Sequence, residues 1–292
     1  MNPLDLVKLS LLMQRTRGRP EVRVALIDGP VAMNHPELAQ QNVRQVAGKL
    51  PALCSRTGSI ACGHGTFVAG ILFGKRSSAV PGICPDCTLL VRPIFPEAGS
   101  SNGDMPSAEP GELASAIVDS VNAGAHIVNL SAALSHPSAV GERELCAALD
   151  YAGRHNVIVV AAAGNQASIG SSTITRHPWV VPVMACDLQG RPTPQSNMGN
   201  SIGRNGLMAP GKDITSLGPD NKTQTSSGTS AAAPFVTGAI ALLWSEFPTA
   251  PASAIKLAMR SGNERRRTVV PPLLDAWSAY QRMAASQARI AS

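Results

Sequence analysis

The chain has 292 residues, 44% of them hydrophobic and 15% charged, a balance that excludes a disordered polymer, which needs few apolar residues and a high net charge. Its 26 glycines and 23 prolines follow no period, which excludes a collagen-like fibre, and no run of about 18 apolar residues is present to cross a membrane. The formal charge of +6 permits an acidic partner, yet the densest basic cluster, Arg265, Arg266 and Arg267 with Lys256 and Arg260, has no interleaved aromatics and reads as a solvated helix face, not a nucleic-acid surface.

Residues 1–20 carry Leu4, Leu6, Val7, Leu9, Leu11, Leu12 and Met13, interrupted by Asp5 and Lys8 and followed by no small-residue cleavage site. They read as a short amphipathic helical extension packed on the body, and the expected compartment is the cytoplasm. Continuous apolar runs at 22–27, 89–94, 127–130, 157–163 and 180–185 predict strands buried on both faces. Between them, helices are expected over 66–73, over 112–122 with Leu113, Ile117 and Val121 on one face, and over 142–155 with Leu145, Leu149 and Ala152. Gly124 and Gly153 suit helix ends. Segments 165–175 and 192–211, rich in Gly, Ser, Asn and Pro, read as surface loops. A long apolar helix is expected from Ser230 to about 246, then helices over 252–260 and 273–284. The alternation predicts one α/β domain over 1–292, a mostly parallel central sheet with helices on both faces, and residues 250–292 forming C-terminal helices.

Six cysteines leave several readings open. Cys84 and Cys87 have C-x-x-C spacing, and Cys54 and Cys62 flank a loop upstream, so zinc ligands, a loop disulfide and free thiols all remain, although a cytosol keeps most thiols reduced. Cys146 and Cys186 stand apart.

Three short segments carry chemistry. In Val24-Ala-Leu-Ile-Asp28-Gly-Pro-Val31 a carboxylate ends a buried strand, where open α/β sheets place their ligands; taken alone, Asp28 also suits a turn or a helix cap. In Gly63-His64-Gly65-Thr66-Phe67-Val68-Ala69-Gly70 a histidine stands at the start of a helix, and alone His64 also suits a structural role. Thr225-Ser-Ser-Gly-Thr-Ser230-Ala-Ala-Ala-Pro234 brings a serine to a helix N-terminus, where Ser230 also suits a cap. Helix-start N–H groups can stabilise an oxyanion, and Gly228 leaves room for a carbonyl beside Ser230. Together the segments supply orienting carboxylate, base and nucleophile in the chain order Asp, His, Ser.

These blocks resemble the signatures of subtilisin-like serine proteases, a likeness that runs from about residue 22 to residue 243. The resemblance implies a subtilisin-like three-layer α/β fold in which Asp28 orients His64, His64 takes the Ser230 proton, and Asn165, from Ala161-Ala-Ala-Gly-Asn165, binds the oxyanion with the Ser230 backbone N–H. It also implies that Ser131, Ala132 and Ala133 form an edge for an extended peptide, faced by Ala161, Ala162, Ala163 and Gly164 across the first specificity pocket. No calcium or other cofactor is expected, since no oxygen-rich loop has clear ligand spacing.

Asp28-Gly-Pro-Val31 with Asn34-His35-Pro36, the segment 80–95 and Gly206-Leu-Met-Ala-Pro-Gly211 resemble the subtilases that mature ribosomal peptides of the cyanobactin type. By that likeness the expected activity is endoproteolytic removal of a leader or follower from a precursor peptide, with a basic surface suited to an acidic leader; His35 has no catalytic counterpart. Only 27 residues precede Asp28, so folding without a removable chaperone segment is expected. The 36 positions between Asp28 and His64 leave no room for the large helical cap of cyclising relatives, which favours hydrolysis over macrocyclisation. A broad degradative protease and a peptide-binding protein with a silent triad are the alternatives. The segment 99–110, with Asp104 and Glu109, suits either a substrate-side loop or a plain surface loop.

Overall fold

The computed structural model describes residues 2–38, 42–97, 108–131, 142–260 and 268–291. In chain order the elements are α1 (Pro3–Leu6), α2 (Leu9–Arg15), β1 (Arg23–Asp28), β2 (Val43–Gln45), α3 (Ile60–Phe73), β3 (Thr88–Pro93), α4 (Pro110–Asn122), β4 (Ile127–Leu130) and α5 (Glu142–Arg154). They continue with β5 (Ile158–Ala162), α6 (Thr173–Arg176), β6 (Val180–Cys186), α7 (Asn200–Asn205), β7 (Leu207–Pro210), the strands β8 (Ile214–Leu217) and β9 (Thr223–Ser226), α8 (Thr229–Glu246), α9 (Ala252–Arg260) and α10 (Ala276–Ala291).

Seven strands form one sheet in the order β2-β3-β1-β4-β5-β6-β7, each pair parallel. The α/β architecture expected from the alternating runs is the one observed. Along β1, Val24 and Leu26 enter the core shared with α3 and α8, while Ala25 and Ile27 enter the core shared with α4 and α5. A period of two with apolar residues at every position therefore fills both layers. The chain runs from β1 out to the edge strand β2, returns through β3 between them, and then crosses over β1 to β4, so the direction of growth reverses at β1. The crevice at the carboxyl ends of such neighbours is where open α/β sheets hold ligands.

α8 is buried along almost its whole length because Ala, Gly and Thr let strands and helices approach it on every side. Arg92 is 2% exposed, yet fully engaged: its guanidinium donates to Asp119, Glu112 and the Pro93 carbonyl, tying the end of β3 to α4. Within the first 20 residues two short helices stand where one was expected, with Leu9 and Leu12 buried and Lys8 paired with Asp275, just before α10.

Several expectations are corrected. The helix predicted over 66–73 begins at Ile60, because the Ser59 hydroxyl caps it by accepting the Cys62 N–H. Residues 207–210, read as loop, are the buried strand β7, and the hairpin β8–β9, with Ile214 and Leu217 buried in β8 and β9 polar throughout, was not expected. The last helix begins at Ala276 and runs to Ala291, later at both ends than expected. Lys256 does not lie on a solvated face: its ammonium donates to the Pro178 and Trp179 carbonyls and lies 4.2 Å from the Trp179 ring centre. Arg265, Arg266, Arg267 and the segment 98–107 lie outside the described residues.

Candidate active site

β1 ends at Asp28, which is fully buried. Its carbonyl accepts the N–H groups of Ile94 and Phe95, and its carboxylate Oδ1 accepts the Gly29 N–H at 2.6 Å. The same oxygen meets His64 Nδ1 at 2.7 Å. With Nδ1 engaged as the donor, Nε2 is the nitrogen left able to accept a proton. Burial of His64 opposes its charge, but the Asp28 carboxylate, first by its charge and then by its hydrogen bond, outweighs that cost and holds the imidazole above its ordinary value of 6.5.

The approach of β1 and α3 is made by backbone. A Cβ on Gly29 would lie 2.0 Å from the Ala61 carbonyl oxygen, and one on Gly65 would lie 2.4 Å from that of Pro30. Only glycines permit this contact, and it is what brings carboxylate and imidazole within hydrogen-bond reach. The next residues are stitched to the same helix: the Ala32 N–H donates to the buried Thr66 hydroxyl. Val31 exchanges backbone bonds with Ala52 and Cys54, and Cys54 is disulfide-bonded to Cys62 in the first turn of α3. The Glu97 carboxylate closes the strap by accepting the Ser55 and Arg56 N–H groups. This bond removes two of the four sulfurs from any shared zinc site. Cys84 and Cys87 are buried free thiols, and burial pushes the Cys84 thiol well up. Beside the strap lies a recess of about 250 Å³ lined by Pro30, Pro51, Arg56, Phe95 and Glu97 among others.

Ser230 is the second residue of α8, following Gly228 at φ +141° and the buried Thr229. Pro234, four residues on, has no N–H, so the Ser230 carbonyl lacks the usual helical donor. The Ser131 hydroxyl approaches that carbonyl at 3.5 Å, itself accepting from Asn129 Nδ2 at 2.7 Å, while Asn129 Oδ1 accepts from Thr237 at 2.7 Å. Asn165 follows β5 through Gly164, whose φ of +103° is a glycine conformation. Its side-chain oxygen accepts from the Thr229 N–H at 2.9 Å and the Thr229 hydroxyl at 3.1 Å. The amide nitrogen is therefore turned over Gly228, 2.9 Å from where a Cβ at that position would stand.

Asp28, His64, Ser230 and Asn165 thus arise from β1, α3, α8 and the end of β5. Ser131 and residues 161–164 are buried at the carboxyl ends of adjacent strands, where Leu130 pairs with Ala161. Ala132 and Ala133 lie outside the described residues. Sequence reasoning missed Thr229, Asn197, which accepts the Gln166 and Ser168 N–H groups and so fixes the loop after Asn165, and the Asn129–Thr237 pair. The Thr229-Ser230 dipeptide was the one available signal.

Residues 19–268 match the Subtilase family. Subtilisin DY of Bacillus licheniformis is 29% identical over 88% of this chain and 89% of its own length, while the chain spans 56% of several longer curated subtilisins. Among solved structures, the protease domain of PatA superposes with a TM-score of 0.83 at 32% identity, covering 92% of this chain and 97% of that one. The prenylagaramide maturation protease PagA gives 0.79 at 32% identity, over 94% and 98%.

Proposed function

This chain belongs to the subtilase family of serine proteases, and on that premise we propose that it is a maturation endopeptidase, cutting a ribosomally synthesised precursor peptide to release a leader or follower segment. A serine hydroxyl is a weak nucleophile at neutral pH and needs a base whose tautomer is fixed by a carboxylate. In this reading His64 Nε2 takes the Ser230 proton as Oγ attacks the scissile carbonyl, and returns it to the leaving amine. Asp28 holds the imidazole and offsets its transient charge. The Asn165 amide and the Ser230 N–H bind the oxyanion, and water then hydrolyses the Ser230 ester. The observation that carries the reading is the 2.7 Å pairing of His64 Nδ1 with the buried Asp28 carboxylate.

The substrate peptide lies extended past Ser131, with residues 161–164 as the facing wall of the first pocket. The choice of a precursor peptide draws support from the likeness to PagA and PatA, which covers more than nine tenths of each chain. The short interval between Asp28 and His64 holds a strap, not a large cap, which favours water as the acceptor. We place the reaction in the cytoplasm, a compartment that suits the four free thiols and does not suit the Cys54–Cys62 bond, and assign the chain's positive charge to capture of an acidic leader. The described helices include none long and apolar enough to cross a membrane.

Mass spectrometry of a diverse peptide library, incubated with the wild type and with Ser230→Ala, tests the proposal. Cleavage at one narrow motif, lost in the variant, is the expected result. Dispersed Ser230-dependent cleavage would replace it with a degradative role, and the absence of any cleavage would point to a peptide-binding protein.

A further inference from the structure

The hairpin β8–β9 grips the helix that carries His64 at two points. Ser216 and Gln224 are directly opposed in the hairpin register, so both side chains leave the same face of the ribbon. The buried Ser216 hydroxyl donates to the Phe67 carbonyl at 2.7 Å, and Gln224 Nε2 donates to the Gly63 carbonyl at 2.6 Å. Those carbonyls are four residues apart on α3, a rise of about 6 Å, close to the roughly 5 Å that separates an opposed cross-strand pair. The match lets a cross-strand pair bond two successive turns of one helix.

Gly70 allows the close approach of the two surfaces: a Cβ there would stand 2.5 Å from Ser216 Oγ, whereas one on Gly63 would meet Gln224 Oε1 at 3.4 Å, an ordinary contact. Seven residues apart, Gly63 and Gly70 share one face of α3. At its other end the hairpin is pinned to the start of α8: the Gly228 N–H donates to the Gly211 carbonyl at 2.7 Å, and the Asp213 N–H donates to the Ser227 hydroxyl at 2.8 Å. The strand leaving Gln224 therefore reaches Ser230 through a fixed corner six residues later.

We propose that Gln224, with Ser216, is a positioning residue for the reaction: the pair locks the base-bearing helix to the corner that presents the nucleophile. Two bonds one turn apart on α3 resist its rotation about either one, and they act on the side of the helix away from its contact with β1 at Gly29 and Gly65. Gln224 bonds the peptide immediately before His64, so it governs where the imidazole stands relative to Ser230. This rests on the roles given above to His64 and Ser230, and it adds a determinant outside the triad and the oxyanion site.

The test compares Gln224→Met, which keeps length and loses the donor, with Gln224→Lys, which restores a donor. Each is assayed at a pH on the activity plateau by the second-order rate of fluorophosphonate labelling of Ser230, by kcat and KM on a peptide the wild type cleaves, and by thermal midpoint. Gln224→Met is expected to lower the labelling rate and kcat about tenfold, with KM and the midpoint nearly unchanged. Gln224→Lys should recover most of that loss. Labelling of the Met variant at the wild-type rate overturns the proposal, as does an equal loss in both variants. A wild type that does not label at all overturns the Ser230 assignment itself, and is recognised because no variant then reacts.

Discussion

The side-chain oxygen of Asn165 is held by Thr229, the residue before Ser230, through both its backbone N–H and its hydroxyl. An amide anchored at its oxygen presents its NH₂ group as a donor that need not reorganise when charge appears, which is the condition for strong oxyanion stabilisation. Asn165→Ala should therefore lower kcat by ~10²–10³ with little change in KM. Thr229→Val, which removes the hydroxyl that also accepts the Gly164 N–H, should cost about tenfold by loosening the same amide. Steady-state kinetics on one cleavable peptide decides; a loss in KM alone would show that Asn165 binds substrate uniformly.

The pH profile follows from the Asp28–His64 pair. The raised imidazole must be neutral to act as a base, so kcat/KM should climb with pH through an apparent value above 6.5. Asp28→Asn should cut kcat by ~10⁴ and move the residual acid limb to lower pH. The stability effect has the opposite sense: a histidine raised by its partner stabilises the fold fully below its unfolded value, and that contribution fades as pH rises through the folded value. An acid limb at or below 6.5 in the wild type would contradict this.

The Cys54–Cys62 bond closes a short loop between the Val31 segment and the first turn of α3. Closing a loop of this size contributes about 2–3 kcal/mol in the chain-entropy account. The double variant Cys54→Ser/Cys62→Ser, or the wild type with a phosphine reductant, should melt roughly 3–5 °C lower. Scanning calorimetry with and without reductant measures this, and coincident traces would assign the bond no stabilising role.

Lys256 predicts a second pH effect, on stability alone. Burial, then the nearby Arg260, depress its ammonium to about 7. Between that value and the ordinary lysine value the folded chain binds fewer protons than the unfolded one, so stability rises with pH across that window. Lys256→Met should flatten the rise and be relatively more stable at pH 6 than at pH 9. Urea midpoints at the two pH values are the check, and parallel slopes in both proteins would refute it.

The long buried strands and the triad segments were legible because each is local: an apolar run bounded by turns, or a polar residue inside a small-residue block. The strand at Leu207–Pro210 was not, since four residues between Gly206 and Gly211 carry too little pattern to separate a strand from a loop. The strand at Thr223–Ser226 is polar throughout and is made a strand by its partner. The helix start at Ile60 was hidden because Gly63 and Gly65 lower helix propensity, while contact with the Asp28 segment demands a glycine at 65. Thr229, Asn197 and Gln224 act through partners 29 to 161 positions away, a distance at which composition and spacing carry no signal. Lys256 was misread because a lysine grouped with Arg260, Arg265, Arg266 and Arg267 suggests solvent, and only packing against Trp179 reveals otherwise.

The backbone contact at Gly29 and Gly65 has a bearing on how this enzyme could be altered. Because the gap between acid and base is set where two main chains touch, no side chain is available there to trim or enlarge, and even one added methyl group acts as a wedge between the reactive pair. Retuning the catalyst by directed evolution would have to proceed from the rims of the cleft, the strap at residues 50–62 and the loop after Asn165, while the hinge between carboxylate and imidazole stays closed to variation.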